Sequence, residues 1–288
     1  MSFMLALPKI SLHGAGAIGD MVNLVAGKQW GKALIVTDGQ LVKMGLLESL
    51  FTALDEHKMS YHLFDEVFPN PTEELVQKGF AAYQAENCDY IIAFGGGSPI
   101  DTAKAIKILT ANLGPSTAYS GVGKVLNAGV HLVAINTTAG TAAEMTSNAV
   151  IIDSARQVKE VIIDSNIIPD IAVDDASVML DIPASVTAAT GMDALTHAVE
   201  AYVSVGAHPL TDANALEAIR LITLWLPKAV DEGHNLEARE QMAFGQYLAG
   251  MAFNSAGLGL VHALAHQPGA THNLPHGVCN AILLPIIE

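Results

Sequence analysis

Asp193 and His197 stand four residues apart in GMDALTHAVEAY (191–202), among Ala194, Leu195, Ala198, Val199 and Ala201. On a helix that spacing stacks an acid and an imidazole on one face, about one turn apart. His262 and His266 repeat the spacing in the equally apolar GLVHALAHQPG, and His276 follows in NLPHG. Leaving a carboxylate and several imidazoles unpaired inside an apolar bundle is costly. A divalent cation would neutralise the acid and give the imidazoles a common partner. Five groups compete for that ion (Asp193, His197, His262, His266 and His276), and the residues alone do not say which stays off it. Three histidines and one aspartate suit Fe²⁺ or Zn²⁺ by ligand type. His272 lies close in sequence and pairs with no helical spacing, which makes it a candidate to line a pocket. Surface or packing roles are the default for His13, His57, His62, His131, His208 and His234.

A second chemistry is written in glycines. FGGGSPIDTAK (94–104) is a strand running into Gly95, Gly96 and Gly97. Ser98 follows as a helix cap, Pro99 at the first helical position and Asp101 in the first turn. Bare backbone at a helix N-terminus accepts a phosphate, which the helix dipole favours. The plainer alternative is a tight strand-to-helix turn, but three consecutive glycines exceed what such a turn needs. A rival loop, GAGAIGD (14–20), matches GxGxxG, and Asp38 ends the next strand. We place the pyrophosphate on the 94–104 loop and give Asp38 the adenosine ribose hydroxyls. A carboxylate there repels a 2′-phosphate, which argues for NAD over NADP. A third polar cluster, NTTAGTAAEMTSN (136–148), offers hydroxyls from Thr137, Thr138, Thr141 and Thr146, or else caps a helix beginning near Ala142.

These residues need two kinds of scaffold. Through about residue 178, short runs rich in Ile, Val and Ala (33–38, 61–67, 89–97, 131–138) alternate with helical periodicity at 42–57 and 72–87. That alternation predicts a parallel sheet covered on both faces. Past Pro183 the chain is rich in Ala, Leu and Met, with turn signals at VGAHP, DEGHN, NSAGLG and NLPHG, which predicts a helical bundle. The expected fold is therefore an α/β dinucleotide-binding domain (1–180) followed by an all-α metal-binding domain (181–288). The last residues, ANAILLPIIE, read as a helix cut off in mid-course.

Of 288 residues, 51% are hydrophobic and 15% charged, which excludes a disordered chain. A formal net charge of −15 argues against a nucleic-acid partner. No apolar run is long enough to span a bilayer, and the first residues lack the basic segment of a signal peptide. Cys88 and Cys279 form no CxxC pattern, so a reducing cytoplasm is the expected setting.

With these residues assembled, the sequence resembles the iron-containing (group III) alcohol dehydrogenases, nearest their lactaldehyde reductase/propanediol oxidoreductase and short-chain alcohol members. The match rests on PNPT (69–72), GGGSPIDTAK, TTAGTAAEMT, GMDALTHAVEAY and AGMAFNSAGLGLVHALAHQPGATHNLPHGVCNAILLP, in that order. The resemblance implies an active site between the two domains, a homodimer, and hydride transfer between NAD(H) and a small primary alcohol or diol and its aldehyde. Carried over, the metal ligands are Asp193, His197, His262 and His276, which leaves His266 as a catalytic proton relay. The implied NAD contacts are Asp38, Asn70, Gly96, Gly97, Ser98, Asp101, Thr137, Thr138, Thr141, Asn148 and Lys159. Family members continue past LLP with further helices, so the chain is expected to be shortened at its C-terminus. A zinc enzyme acting on polyols, of the glycerol dehydrogenase type, and a shortened remnant that binds nucleotide or metal without turnover are the alternatives. Lyase chemistry of the dehydroquinate synthase type would need a cluster of Lys and Arg, and the helical half has only Arg220, Lys228 and Arg239.

Overall fold

A computed structural model describes residues 3–272 and 274–288, with the side chains of all of these but 268–272. The chain forms two compact units, one of Pro8–Thr137 with Ala143–Asp175, the other of Met1–Leu7, Thr138–Ala142 and Ala176–Glu288.

The first unit is built on a sheet. Its elements run β1 (Ile10–His13), α1 (Ala17–Ala26), β2 (Lys32–Asp38), α2 (Gly39–Lys43), α3 (Glu48–Glu56), β3 (Ser60–Val67), α4 (Glu73–Ala85), β4 (Tyr90–Gly95), α5 (Gly97–Leu109), β5 (Gly121–Val122), β6 (His131–Asn136), β7 (Asn148–Asp153), β8 (Val158–Ile163) and β9 (Ile171–Asp174). Six strands pair in the order β1-β9-β6-β4-β2-β3, every pair parallel. All of Tyr90–Gly95 is buried, as expected of a strand covered on both faces. Leu34, Val36, Ile91, Ala93, Leu132 and Ala134 pack with Ile100, Ala103 and Ile106 of α5 in one core cluster. Thr72 caps α4 by accepting from the Leu75 amide, with Glu73 and Glu74 in the first turn.

Three local expectations are corrected. The helical periodicity at 42–57 is interrupted: Gly45 takes φ +72°, a left-handed turn that separates α2 from α3. Around Ala142, whose φ is +51°, residues 138–147 form turns and bends, and no helix begins there. A second sheet, β5-β8-β7, contains the antiparallel pair β7–β8, which a purely parallel reading missed.

The second unit carries α6 (Ala184–Val203), α7 (Pro209–Asp231), α8 (Leu236–Ala256), α9 (Leu260–His272) and α10 (His276–Ile287). The VGAHP, DEGHN and NSAGLG signals overlap the junctions between these helices, and Pro209 stands at the start of α7. Its core is built largely from small side chains: Ala194, Ala198, Ala218, Ala229, Ala238 and Ala249 pack with Ile222 and Met242. Small residues let helix axes approach closely. One such approach is at Gly277 on α10, where an added Cβ would lie 1.9 Å from the backbone oxygen of Ala189 on α6. Among the described residues no single helix is long and apolar enough to cross a membrane.

Candidate metal centre and glycine loop

Helix α6 presents Asp193 and His197 one turn apart, both buried. From α9 comes His262, 3% exposed, and from the first turn of α10 comes the half-buried His276. One ligand atom each from Asp193, His262 and His276 lie within 4.8 Å of one another. The Asp193 Oδ1 stands 3.6 Å from the Nε2 atoms of both His262 and His276. Asn280, one turn beyond His276 and fully buried, donates its Nδ2 to Asp193 Oδ1 at 2.7 Å and lies 3.3 Å from the same two Nε2 atoms. Four polar side chains from three helices thus converge on one point.

His197 stands differently. Its ring stacks between those of Phe253 (4.3 Å) and His262 (4.4 Å), outside the 4.8 Å group. Its Nδ1 is nevertheless buried with no hydrogen-bond partner, a costly condition for an imidazole. His266 is half-buried, its ring centroid 5.0 Å from that of His276. The side chain of His272 lies outside the described residues.

The electrostatics are those of a site built for positive charge. Burial alone would raise the Asp193 carboxyl, but His197, His276 and His262 hold it well below the usual carboxylate range. Burial pushes His197 down to about 3, so its ring is neutral. Burial also disfavours charge on His262, yet Asp193 and Glu200 overcome it and raise the imidazole to about 9. One carboxylate, several imidazoles and an orphaned buried nitrogen make a donor set suited to a divalent transition metal, which would displace the proton that His262 holds. The three basic side chains of this unit are engaged elsewhere. Arg220 pairs with Glu217, Lys228 lies over Trp225, and Arg239 bonds Thr187, Ile182 and Gly233.

In the sheet unit, Asp38, Gly95 and Thr137 lie at the C-terminal ends of β2, β4 and β6, on one edge of a parallel sheet. Gly95 takes φ +148°, and a Cβ there would meet Pro99 Cγ at 2.5 Å. The turn therefore needs this glycine sterically, while Gly96 and Gly97 stay bare. The cap of α5 is Gly96 rather than Ser98, because the helix begins at Gly97 and leaves Ser98 already inside its first turn. Thr137 N donates to Gly95 O at 3.1 Å, which ties the third polar cluster to the glycine loop. Asp101 accepts from Val150 N at 3.0 Å, and burial pushes its carboxyl up to about 6 against the pull of Lys104. Asp38 accepts from the Gln40 and Leu41 amides as the cap of α2. Asn70, at φ +60°, accepts from Lys159 Nζ at 2.8 Å, so two residues remote in sequence meet. Thr138 and Thr141 belong to the short segment grouped with the helical unit.

The rival loop has a different occupant. The amides of Gly16 and Ile18, which open α1, donate to the carboxylate of Asp175. The positive end of that helix is already neutralised by the chain's own acid.

Sequence reasoning missed several buried groups. Lys104 donates to Thr146 O, Thr146 Oγ1 and Asn148 O, fastening the polar cluster to α5, and burial lowers its ammonium to about 8. Asn280 and Glu200 also went unread. Asn280 falls four residues after His276, and Glu200 seven after Asp193, spacings that place both on the ligand faces.

Comparison with known proteins places the chain in a family. The iron-containing alcohol dehydrogenase profile matches residues 8–176, and the C-terminal profile of the Fe-containing alcohol dehydrogenase family matches 187–287. The chain belongs to the iron-containing alcohol dehydrogenase family. Alcohol dehydrogenase 4 of Schizosaccharomyces pombe is 46% identical over 282 residues, covering 98% of this chain and 67% of that protein. The NAD-dependent methanol dehydrogenase of Bacillus methanolicus is 48% identical over 282 residues, covering 97% and 73%. The crystal structure of a 1,3-propanediol oxidoreductase superposes with a TM-score of 0.97 at 45% identity, covering 99% of this chain and 75% of that one.

Proposed function

We propose that the chain interconverts small primary alcohols or diols and their aldehydes, using NAD(H) and a divalent metal, iron before zinc. The observation that carries this reading is the convergence of Asp193, His262 and His276 on one buried point. Membership of an oxidoreductase family sets the reaction class. The NAD assignment is supported by the name of the methanol dehydrogenase relative and by Asp38 at the end of β2.

Asp193, His197, His262 and His276 would hold the metal in this proposal; for His197 the support is its place one turn from Asp193, its ring against that of His262 and its orphaned Nδ1. When bound, the metal supplies a Lewis acid for the substrate oxygen. Asp193 brings the negative charge that offsets the cation, and Asn280 holds the carboxylate in place through its 2.7 Å bond. The Phe253 ring against His197 keeps water from that side of the site. In the oxidation direction NAD⁺, held at the glycine loop, would supply the hydride acceptor, and the hydroxyl proton of the alcohol would leave separately. His266 takes that proton on a ring nitrogen and passes it to solvent. The amides at Gly96, Gly97 and Ser98 receive the pyrophosphate at the start of α5. Asp101, Thr137, Thr138, Thr141, Asn148, Asn70 and Lys159 complete the cofactor contacts. Homodimer assembly and a reducing cytoplasmic setting belong to the same proposal; the free, buried thiols of Cys88 and Cys279 support the second.

The test is anaerobic purification, elemental analysis, and NADH absorbance with propane-1,2-diol and with ethanol, before and after Fe²⁺ or Zn²⁺. Metal-dependent NADH formation is the expected result. Folded protein that binds no metal and forms no NADH overturns the reading.

A further inference from the structure

Glu200 is fully buried, and no step of the reaction above uses it. It lies on α6 at i+7 from Asp193 and i+3 from His197, so one stripe of one helix carries all three. Its Oε2 faces His262 Nδ1 in a close hydrogen bond. Its Oε1 accepts from Val261 N at 2.6 Å and lies within 3.4 Å of His262 N. Those amides open α9, so the carboxylate caps a helix other than its own. Gly259 makes room for this: a Cβ there would lie 2.8 Å from Glu200 Oε1.

A buried carboxylate would be costly if it served only as a cap, because a hydroxyl or an amide does that without charge. The second oxygen explains the choice of acid. With Nδ1–H directed at Glu200, the only lone pair left to His262 is on Nε2, the atom that faces Asp193 Oδ1, Asn280 Nδ2 and the point of convergence. Hydrogen bonding to an anion also makes Nε2 a stronger donor. Holding the imidazole and the first amides of α9 with one carboxylate fixes both the ring's orientation and the helix that carries it.

We infer that Glu200 is the positioning residue of the metal centre: it fixes the Nδ1–H form of His262, aims its Nε2 at the metal, and locks the start of α9. This rests on the metal reading proposed above. It makes Glu200→Gln, which keeps size and polarity but loses the charge, a defect in metal affinity rather than in fold.

The experiment compares the full wild-type chain with Glu200→Gln, both stripped of metal and titrated with Zn²⁺ against a competing chelator. A ten- to hundredfold weaker affinity is expected for the variant, with an unchanged far-UV circular dichroism spectrum. Equal affinities overturn the assignment. A second readout needs no variant of Glu200. In the Zn²⁺-loaded wild type labelled with ¹⁵N-histidine, and with His262 assigned through His262→Gln, Nδ1 should carry a low-field, slowly exchanging proton. A bare Nδ1 on His262 overturns the assignment even where Glu200→Gln fails to fold. A wild-type chain that takes up no Zn²⁺ or Fe²⁺ removes the metal reading itself, an outcome distinct from the other two.

Discussion

Replacing Gly277 by alanine sets two rules against each other. Helix propensity favours alanine over glycine by up to about 1 kcal/mol in a helix interior, and less in the first turn, where Gly277 lies. Sterics oppose it, since the new Cβ would lie 1.9 Å from Ala189 O and 2.6 Å from its carbonyl carbon. Ordinary contact begins near 3.4 Å, so α10 must retreat from α6 by about 1.5 Å. Both obstructing atoms are backbone, so no side-chain rotation relieves them. Overpacking of this kind costs about 3 kcal/mol, at the upper end of the usual range. The net loss is about 2 kcal/mol, or about 5 °C in Tm. The larger effect falls on the site, because α10 carries His276 and Asn280 while α6 carries Asp193. Ligand positions tolerate about 0.2 Å, far less than the retreat. Gly277→Ala should therefore melt earlier and bind metal at a small fraction of the wild-type stoichiometry, as read by differential scanning calorimetry and elemental analysis. Gly19 on α1 is the control: a Cβ there meets nothing within 4 Å, so Gly19→Ala should stabilise by about 0.5–1 kcal/mol. A Gly277→Ala chain that is more stable than wild type and fully metallated would refute the steric argument.

Metal uptake should depend on pH through His262, which Asp193 and Glu200 hold protonated up to about 9. The bound proton must leave before Nε2 can donate, so affinity for Zn²⁺ should rise about tenfold per pH unit from 7 toward 9, and a flat profile would contradict the raised imidazole. Without metal, the same shift makes the charged imidazole a stabilising group below pH 6.5, and that contribution fades as pH climbs through 9, which thermal melts across this window measure. His266→Ala should retain metal while slowing turnover at least tenfold; loss of metal would make it a ligand instead. Asp175→Ala removes the carboxylate that caps α1 at Gly16 and Ile18 and should cost about 1 kcal/mol in urea unfolding, with no change indicating that water replaces it freely.

The helical half was legible because its punctuation is chemical: Pro209, Gly257 and the polar runs stop and start helices wherever they occur. The parallel strands were legible because burial on both faces leaves no polar alternation, as in Tyr90–Gly95. What escaped depends on pairing across the chain. The β7–β8 hairpin is declared only by its register, Asn148 against Ile163 through Asp153 against Val158. The GAGAIGD loop looked like an anion site because the acid that fills it, Asp175, lies 159 residues from Gly16. Within the candidate site, Asp193 and the histidines showed themselves by type and spacing. Glu200 went unread because its partners, Val261 and His262, are about sixty residues away. His197 was read by spacing alone, which gives a face of the helix and says nothing of its ring turning flat against Phe253.

The stripe of Asp193, His197 and Glu200 on α6 has a consequence for how such a chain can change over time. A helix advances 100° and 1.5 Å per residue. One residue inserted or deleted between 193 and 200 would turn Glu200 about a quarter of a circle away from Asp193, and no neighbouring side chain would inherit its place. The connections at 204–208 and 232–235 carry none of these ligands and impose no such phase. Substitutions can accumulate within α6, but its residue count across this stretch is fixed, so length variation in this unit should be confined to the links between its rods.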